Sequence, residues 1–165
     1  MNDNLSQEPM RTPLPSKDMV LSACAGILVL EHPVLYAAQQ LASLYQVQVH
    51  TDADVIDGER AQLICRIDAW VAAEQPPAFD AAHLHSETVG MIIDRLAKLS
   101  VDASAASQRP ISTSRLLNAR HRLAELAHAY SDLAFEIASR TRRLPDFSQP
   151  AADEEPVEIS DQAQR

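Results

Sequence analysis

The sequence is poor in several residue types on which many small folds and enzymes depend. Of its 165 residues only 2 are cysteine and 3 are glycine, and 4% are aromatic. The two cysteines, Cys24 and Cys65, are too few for a disulfide framework and fit no metal-binding spacing. Neither a glycine-rich phosphate loop nor a nucleophile elbow occurs. Disulfide-rich secreted domains and P-loop enzymes are therefore excluded, and we expect a reducing, cytoplasmic setting.

Positive charge is also scarce. The formal net charge is -9, and much of the acidic excess lies in residues 146–165. The one basic cluster, Arg140, Arg142 and Arg143, lies where the C-terminal end of a helix attracts cations in any case. A surface that binds nucleic acid must neutralise several phosphates. We therefore expect no nucleic-acid partner.

Long apolar runs are missing as well. The apolar run at residues 19–30 is shorter than the roughly 20 residues that cross a bilayer, so we predict no membrane segment. Ser16 is placed to cap a short helix at the start of this run. Its second part, Ile27–Leu30, is apolar on every side. We expect either the open end of the domain or a second copy of the chain to cover it.

What the chain does have is a hydrophobic fraction of 46%, with apolar residues recurring at helical spacing. This pattern predicts an all-α fold, an antiparallel up-down four-helix bundle with an additional short N-terminal apolar helix. We expect a single domain over residues 16–145. The flanking residues 1–15 and 146–165 are rich in proline or acidic groups, which predicts two disordered tails.

Prolines and capping residues predict where the long helices begin and end. Pro33 suits the first position of helix one. The pair Pro76-Pro77 stops helix two, because the residue before a proline avoids the helical conformation. Helix four is expected to start at Ser112 or Ser114 and to continue to Pro145.

Residues 83–99 pass from a polar entry into the amphipathic helix three. Ser86 is expected to cap this helix, with Glu87 against its positive N-terminus. In an up-down bundle this entry lies beside the end of helix two and the later part of helix four. The polar and aromatic side chains expected at that bundle end are Trp70, His83, His85, Glu87, Tyr130 and Glu136.

This group is the candidate functional site. His85 and Glu87 are candidate catalytic residues, since a histidine and a carboxylate can act as general acid and base. Trp70 and Tyr130 are candidate ligand-binding residues beside them. The same side chains equally suit a structural role, in which they cap helix three and hold the preceding loop.

A second polar group is expected at the other bundle end. Arg60 falls on the apolar stripe of helix two, where a buried charge must be paired. The bundle would bring it near Gln48, Asp102 and Arg120, which form either a structural ion pair or an anion-binding site. Arg60 and Arg95 are therefore further candidate ligand-binding residues, able to hold an anionic substrate.

Glu125 and His128 have the spacing that di-metal bundles use in pairs, but a second copy of the motif is absent. They lie opposite the apolar stripe of helix four, so their face is either solvated or completed by another subunit. We predict no metal site and no cofactor.

Three segments of the chain carry a resemblance to a known family. Residues 85–96, 122–127 and 140–145 resemble domain-of-unknown-function family 4254 (DUF4254) in its actinobacterial form. The resemblance covers roughly residues 17 to 147 and implies a small helical protein. It brings no reaction and no catalytic residues, although some members are expected near biosynthetic genes, which implies a role in secondary metabolism.

Two functions remain open on these grounds. The first is a cytoplasmic protein, forming a homodimer, that acts by binding a partner protein or a small ligand at the bundle end. The alternative is a metal-independent enzyme of bacterial specialised metabolism that uses His85 and Glu87 for proton transfer.

The first function predicts self-association. Size-exclusion chromatography with light scattering should give a mass twice that of the 165-residue chain, because the apolar segment near residue 27 then has a second copy to cover it. A monomer at micromolar concentration would contradict the dimer.

Overall fold

Prolines and caps divide the chain into elements close to those predicted. The structure, a computed structural model, describes residues 11–27, 31–47, 53–108 and 112–147. Within these ranges the helices are α1 (Lys17–Cys24), α2 (Pro33–Val47), α3 (Ala53–Glu74), α4 (Val89–Gln108) and α5 (Thr113–Ala138). Two short strands, β1 (His83–Leu84) and β2 (Arg142–Arg143), complete it. The predicted all-α fold, with one short N-terminal helix and four longer packed helices, is confirmed.

Helix α4 lies at the centre of the bundle. It contacts α1, α2, α3 and α5, whereas α3 and α5 do not contact each other in the described residues. The short helix α1 packs against α2, α4 and α5, and so occupies the space between α2 and α5. Among the residues that the structure describes, no helix takes the corresponding position between α3 and α5, so a space remains there beside α4.

The core is formed by the apolar stripes that the helical spacing predicts. Because the side chains of each stripe share one face, they meet at the axis of the bundle. The largest fully buried side chains are Tyr130, Leu35, Leu41, Ile56, Ile67, Ile93, Leu96, Val20, Val34 and Val89. The buried residues of α1 are Val20, Ala23 and Cys24. Helix α1 is therefore part of the core, and the rest of the apolar run, residues 28–30, lies outside the described residues.

Residues 11–15, which composition assigns to a disordered tail, lie against the bundle. The Gln75 side-chain amide donates to the carbonyl of Thr12 at 2.9 Å, and the Tyr130 hydroxyl donates to the carbonyl of Pro15 at 2.8 Å. Ser16 then caps α1, as predicted, by accepting from the Met19 N–H at 3.3 Å. Composition misses such a segment because its carbonyls find partners only in the folded protein. Residues 1–10 and 148–165 lie outside the described residues.

Helix α5 ends at Ala138, so the prediction that it continues to Pro145 is wrong. Arg140 has a φ of 62°, the left-handed conformation that terminates many helices. Arg142 and Arg143 then pair in parallel with His83 and Leu84. Sequence gave no sign of this pairing, because it spans two residues on each side and no glycine marks the turn.

The start of α4 also differs from the prediction. Thr88, not Ser86, caps the helix, since its hydroxyl accepts from the Met91 N–H at 3.2 Å. A second cap comes from α3, where an Asp68 carboxylate oxygen accepts from the Gly90 N–H at 2.8 Å. Among the described residues, no helix is both long and apolar enough to cross a membrane.

Gly90 allows α4 to approach α3 closely. A Cβ at this position would lie 2.6 Å from the Ile64 carbonyl oxygen and 2.9 Å from an Asp68 carboxylate oxygen. The Ile64 carbonyl cannot move away without disturbing the backbone of α3. The close contact between the helices therefore requires glycine at position 90, although the φ angle of this residue would allow other amino acids.

Gly90→Ala should lower the free energy of unfolding by about 1–3 kcal/mol, the usual cost of overpacking. Gly58→Ala in α3 is the matched control, because nothing lies within 4 Å of its added Cβ. That variant should be stabilised by up to about 1 kcal/mol through helix propensity. Urea unfolding measures both, and equal effects of the two substitutions would contradict the close approach.

Candidate functional site

A cavity of about 540 Å³ lies between α3 and the C-terminal segment 142–147. The first turn of α4 and the end of α5 also contribute to it. Its lining is mainly apolar, and the residues are Ile64, Cys65, Asp68, Ala69, Val71, Ala72, Gln75, Pro76, Pro77, Ala78, Thr88, Met91, Ile137, Arg142, Arg143, Leu144, Pro145, Asp146 and Phe147. Small-molecule sites in proteins usually measure roughly 300–1,000 Å³.

The packing of the helices explains why the cavity is there. Since α3 and α5 do not contact each other, the described residues that close the space beside α4 come from the chain after α5 and from residues 76–78 after α3. The pairing of β1 with β2 holds that chain in place, together with a hydrogen bond of 2.9 Å from the Phe79 N–H to the Arg140 carbonyl. On the α3 side the small side chains of Ala69 and Ala72 leave the space unfilled.

Asp68 is the carboxylate of the cavity nearest the core. One of its oxygens accepts from the Gly90 N–H, and the Thr88 hydroxyl also hydrogen-bonds to the carboxylate. Burial nevertheless raises the pKa of Asp68 above its ordinary 3.8, because desolvation outweighs these two hydrogen bonds. The negative charge is therefore incompletely compensated within the protein.

Other polar side chains in the lining are already engaged. The Gln75 amide donates to Thr12, and the Thr88 hydroxyl accepts from Met91. The Arg142 guanidinium donates from Nε and Nη2 to the Glu136 carboxylate at 2.7 and 3.1 Å. Asp68 is the partly buried carboxylate of the lining and can accept further hydrogen bonds from a molecule in the cavity, and Asp146 is a second lining carboxylate that is exposed.

His85 and Glu87, the candidate catalytic residues, do not form a side-chain pair. Nδ1 of His85 lies 3.2 Å from the backbone nitrogen of Glu87 and 2.9 Å from its carbonyl oxygen. The Glu87 carboxylate instead forms a salt bridge with Arg95, the candidate ligand-binding residue on α4. The ring of His85 thus holds the loop before α4, and Glu87 and Arg95 neutralise each other.

The carboxylate that the structure places near His85 is Glu136. Hydrogen bonding from Arg142 is the main cause that lowers the pKa of Glu136, with smaller contributions from the charges of His85 and His83. Arg142 connects β1 with α5, because it pairs with His83 in the β1–β2 register and binds Glu136. Of these residues only Arg142 lines the cavity.

Trp70 and Tyr130 lie elsewhere. The Trp70 ring packs against His32, with ring centroids 4.8 Å apart, and Tyr130 is 1% exposed with its hydroxyl bonded to Pro15. Neither residue lines the cavity. The structure therefore does not bring Trp70, His85 and Tyr130 together, although the cavity is at the bundle end where they were expected.

Arg60, which is partly exposed, forms an ion pair with the buried Asp94 of α4. Its Nε and Nη2 donate to the two Asp94 oxygens at 3.1 and 2.7 Å, and Nη1 donates to Asp57 at 2.8 Å. The Tyr45 hydroxyl donates to the same Asp94 carboxylate at 2.9 and 3.0 Å. Of the two interpretations of Arg60, this geometry favours the structural ion pair over an anion-binding site.

The partners expected for Arg60 are placed differently. Asp102 pairs with Lys98 at 3.2 Å on the exposed side of α4. Arg120 is on α5, which does not contact α3, and Gln48 lies outside the described residues. Asp94 was not expected to meet Arg60, because its position in α4 is next to the apolar stripe instead of on it.

The possible metal ligands of α5 lie on an exposed surface. His121 pairs with Glu125 at 3.3 Å, and the side chains are 70% and 66% exposed. Nδ1 of His128 lies 2.9 Å from Nζ of Lys17. In the described ranges, no group of three histidine, cysteine or acidic side chains is placed to hold a metal ion.

A second depression, of about 480 Å³, lies between α2 and α3. Its lining residues are Gln40, Ser43, Leu44, Glu59, Gln62, Leu63 and Arg66. Most of these are long or polar side chains that face solvent. It lacks the apolar lining that small-molecule sites share, so the cavity at the C-terminal segment is the stronger candidate.

The DUF4254 family model matches residues 38–145, more than half of the chain. The chain belongs to the DUF4254 family. The description of this family is 'protein of unknown function'. The match confirms the family resemblance seen in the sequence. No curated protein and no solved structure matches the chain significantly. All cavity-lining residues except Asp146 and Phe147 fall within the matched segment of this DUF4254 protein.

Asp94→Ala should lower the free energy of unfolding by about 2–4 kcal/mol, because Arg60 and Tyr45 then lose their buried acceptor. Asp102→Ala, on the same helix, is the matched control. Its pair with Lys98 has both side chains 54% exposed, so the cost should be under about 1 kcal/mol. Thermal or urea unfolding compares them, and similar losses would show that the Asp94 network is not stabilising.

Proposed function

We propose that this DUF4254 protein binds a small, largely apolar molecule in the cavity between α3 and segment 142–147. The observation that carries the proposal is a cavity of about 540 Å³ with a mainly apolar lining and an incompletely compensated carboxylate. Apolar surface of this kind gains free energy when a ligand replaces water, at roughly 25 cal/mol per Å². A few polar groups then fix the orientation of the ligand.

The position of the cavity supports the same function. It lies where α3, α4 and the C-terminal segment meet, and the core residues Val71 and Ile137 form part of its wall. Phe147 at its outer edge is 62% exposed, and a ligand would cover part of this aromatic ring. The bundle therefore holds the cavity in place without depending on the ligand for its own core.

Self-association, a partner protein and the biosynthetic context stay predictions. So does the alternative function, an enzyme that uses His85 and Glu87 for proton transfer. The contacts that bear on the alternative are the backbone hydrogen bond of His85 and the salt bridge of Glu87 with Arg95. Glu87 is thus paired with Arg95, and Nδ1 of His85 faces the Glu87 backbone. The two side chains of the expected proton-transfer pair do not contact each other, so ligand binding is the better-supported function.

The proposal is tested with 1-N-phenylnaphthylamine, a neutral apolar dye whose fluorescence rises in apolar sites. Wild type should bind the dye, and Ala72→Phe should weaken binding at least tenfold because the new ring occupies the cavity. Ala73→Phe is the matched control, since Ala73 is exposed on the same helix and does not line the cavity. Circular dichroism confirms that both variants fold.

Two outcomes would contradict the proposal. The first is wild-type protein that does not bind the dye at all. The second is equal binding by the Ala72→Phe and Ala73→Phe variants, which would place the dye elsewhere on the surface.

A further inference from the structure

We infer that the natural ligand of the cavity carries a protonated amine that binds the carboxylate of Asp68. The inference rests on the proposed function, and it adds the chemical class of the ligand. The ligand would then be an amine with an apolar body, held by one ion pair and by apolar contacts.

The first argument is an inventory of hydrogen-bonding groups in the lining. A carboxylate offers about four lone-pair positions, of which the Gly90 N–H and the Thr88 hydroxyl occupy two. Gln75 donates one hydrogen bond to Thr12, and Arg142, whose guanidinium has five N–H groups, donates two to Glu136. Asp68 is an acceptor-only group with about two lone-pair positions open beside the apolar lining, and a ligand group that fills them must be a donor.

The second argument concerns desolvation. A wholly apolar ligand would remove water from Asp68 and leave its charge without a new partner, which is costly. A ligand that is an anion would add repulsion to that cost. An ammonium group replaces the lost water with an ion pair and up to three hydrogen bonds.

The arginines of the lining do not oppose a cation at Asp68. Arg142 is neutralised by Glu136, whose carboxylate it contacts through two nitrogens. Arg143 is exposed, and the acidic Asp146 lines the same outer part of the cavity. Away from these paired or exposed charges, Asp68 alone sets the sign of the inner cavity.

The test displaces 1-N-phenylnaphthylamine from wild-type protein with three probes of equal chain length. These are octylammonium, octan-1-ol and octanoate, which differ only in the polar end. Octylammonium should bind at least tenfold more tightly than octan-1-ol, and octanoate should bind most weakly. The comparison of octylammonium with octan-1-ol isolates the polar group, because both carry the same octyl chain and so the same apolar contribution.

Asp68→Asn should remove the preference for octylammonium while leaving the affinity for octan-1-ol within about twofold. The asparagine oxygen can still accept from the Gly90 N–H, so the cap of α4 is retained. Asp132→Asn, at an exposed position of α5 away from the cavity, is the matched control and should keep the preference. Unchanged binding of octan-1-ol shows that the cavity itself is intact.

A pH profile of wild-type protein gives a second measurement that needs no variant. Protonation of Asp68 removes its charge, so the preference for octylammonium should fall as the pH is lowered through the pKa of this group. Because that pKa is raised above 3.8, the loss should begin at a higher pH than for an ordinary aspartate. The affinity for octan-1-ol should not change over the same range.

The outcomes separate the two proposals. If the dye binds but octylammonium and octan-1-ol displace it equally, or if Asp68→Asn keeps the preference, the amine inference is wrong and the cavity proposal survives. Tighter binding of octanoate would point to Arg143 as the recognising charge and would also overturn the inference. If the dye does not bind wild type, the proposed function fails first.

Discussion

The contact between Asp68 and the first turn of α4 is the constraint on which the rest of the molecule depends. Gly90 lets the backbone of α4 lie against the Ile64 carbonyl, and the Asp68 carboxylate satisfies an N–H that the helix itself leaves without a partner. This contact fixes the spacing of α3 and α4 at one end of the bundle. Since α4 is central, that spacing determines where the α3 side of the cavity lies.

Two aspartates in this protein show how similar groups acquire different roles. Asp94 accepts two hydrogen bonds from Arg60 and one, shared between its two oxygens, from the Tyr45 hydroxyl, so its charge is matched within the bundle. Asp68 meets neutral donors only, and no cation neutralises it among the described contacts. Asp94 therefore has a structural role. Asp68 can still accept hydrogen bonds from a bound molecule, and the functional proposals centre on it for that reason.

Sequence periodicity predicted most of the fold because apolar burial is a property of each helix by itself. The position of Pro33 and the stripes of α2 to α5 required no knowledge of neighbouring elements. The end of α5 and the β1–β2 pairing were missed, because they depend on Arg140 taking a left-handed conformation and on contacts between residues 59 positions apart.

The cavity lies at the bundle end where the sequence predicts a site, but its lining consists of other residues. Trp70 packs against His32, and the Tyr130 hydroxyl donates to the Pro15 carbonyl. The helical pattern of the sequence does not reveal either contact. Asp68 was overlooked, although it follows the core residue Ile67 and precedes the core residue Val71 by three positions. A carboxylate in such a setting is a signal that sequence reading can use.

The two sides of the cavity differ in local stability, and the side formed by the C-terminal segment, which β2 joins to β1, is the less stable one. Helix α3 is 22 residues long and packs on α2 and α4. The C-terminal segment is held by two paired residues, a few loop hydrogen bonds, the Arg142–Glu136 salt bridge and the packing of Leu144 on the core. The free energy needed to unfold a segment locally is smaller where the segment has fewer buried contacts and fewer hydrogen bonds. Amide protons of the C-terminal segment will therefore exchange with solvent through small local openings. A molecule can enter on that side while the five packed helices stay folded.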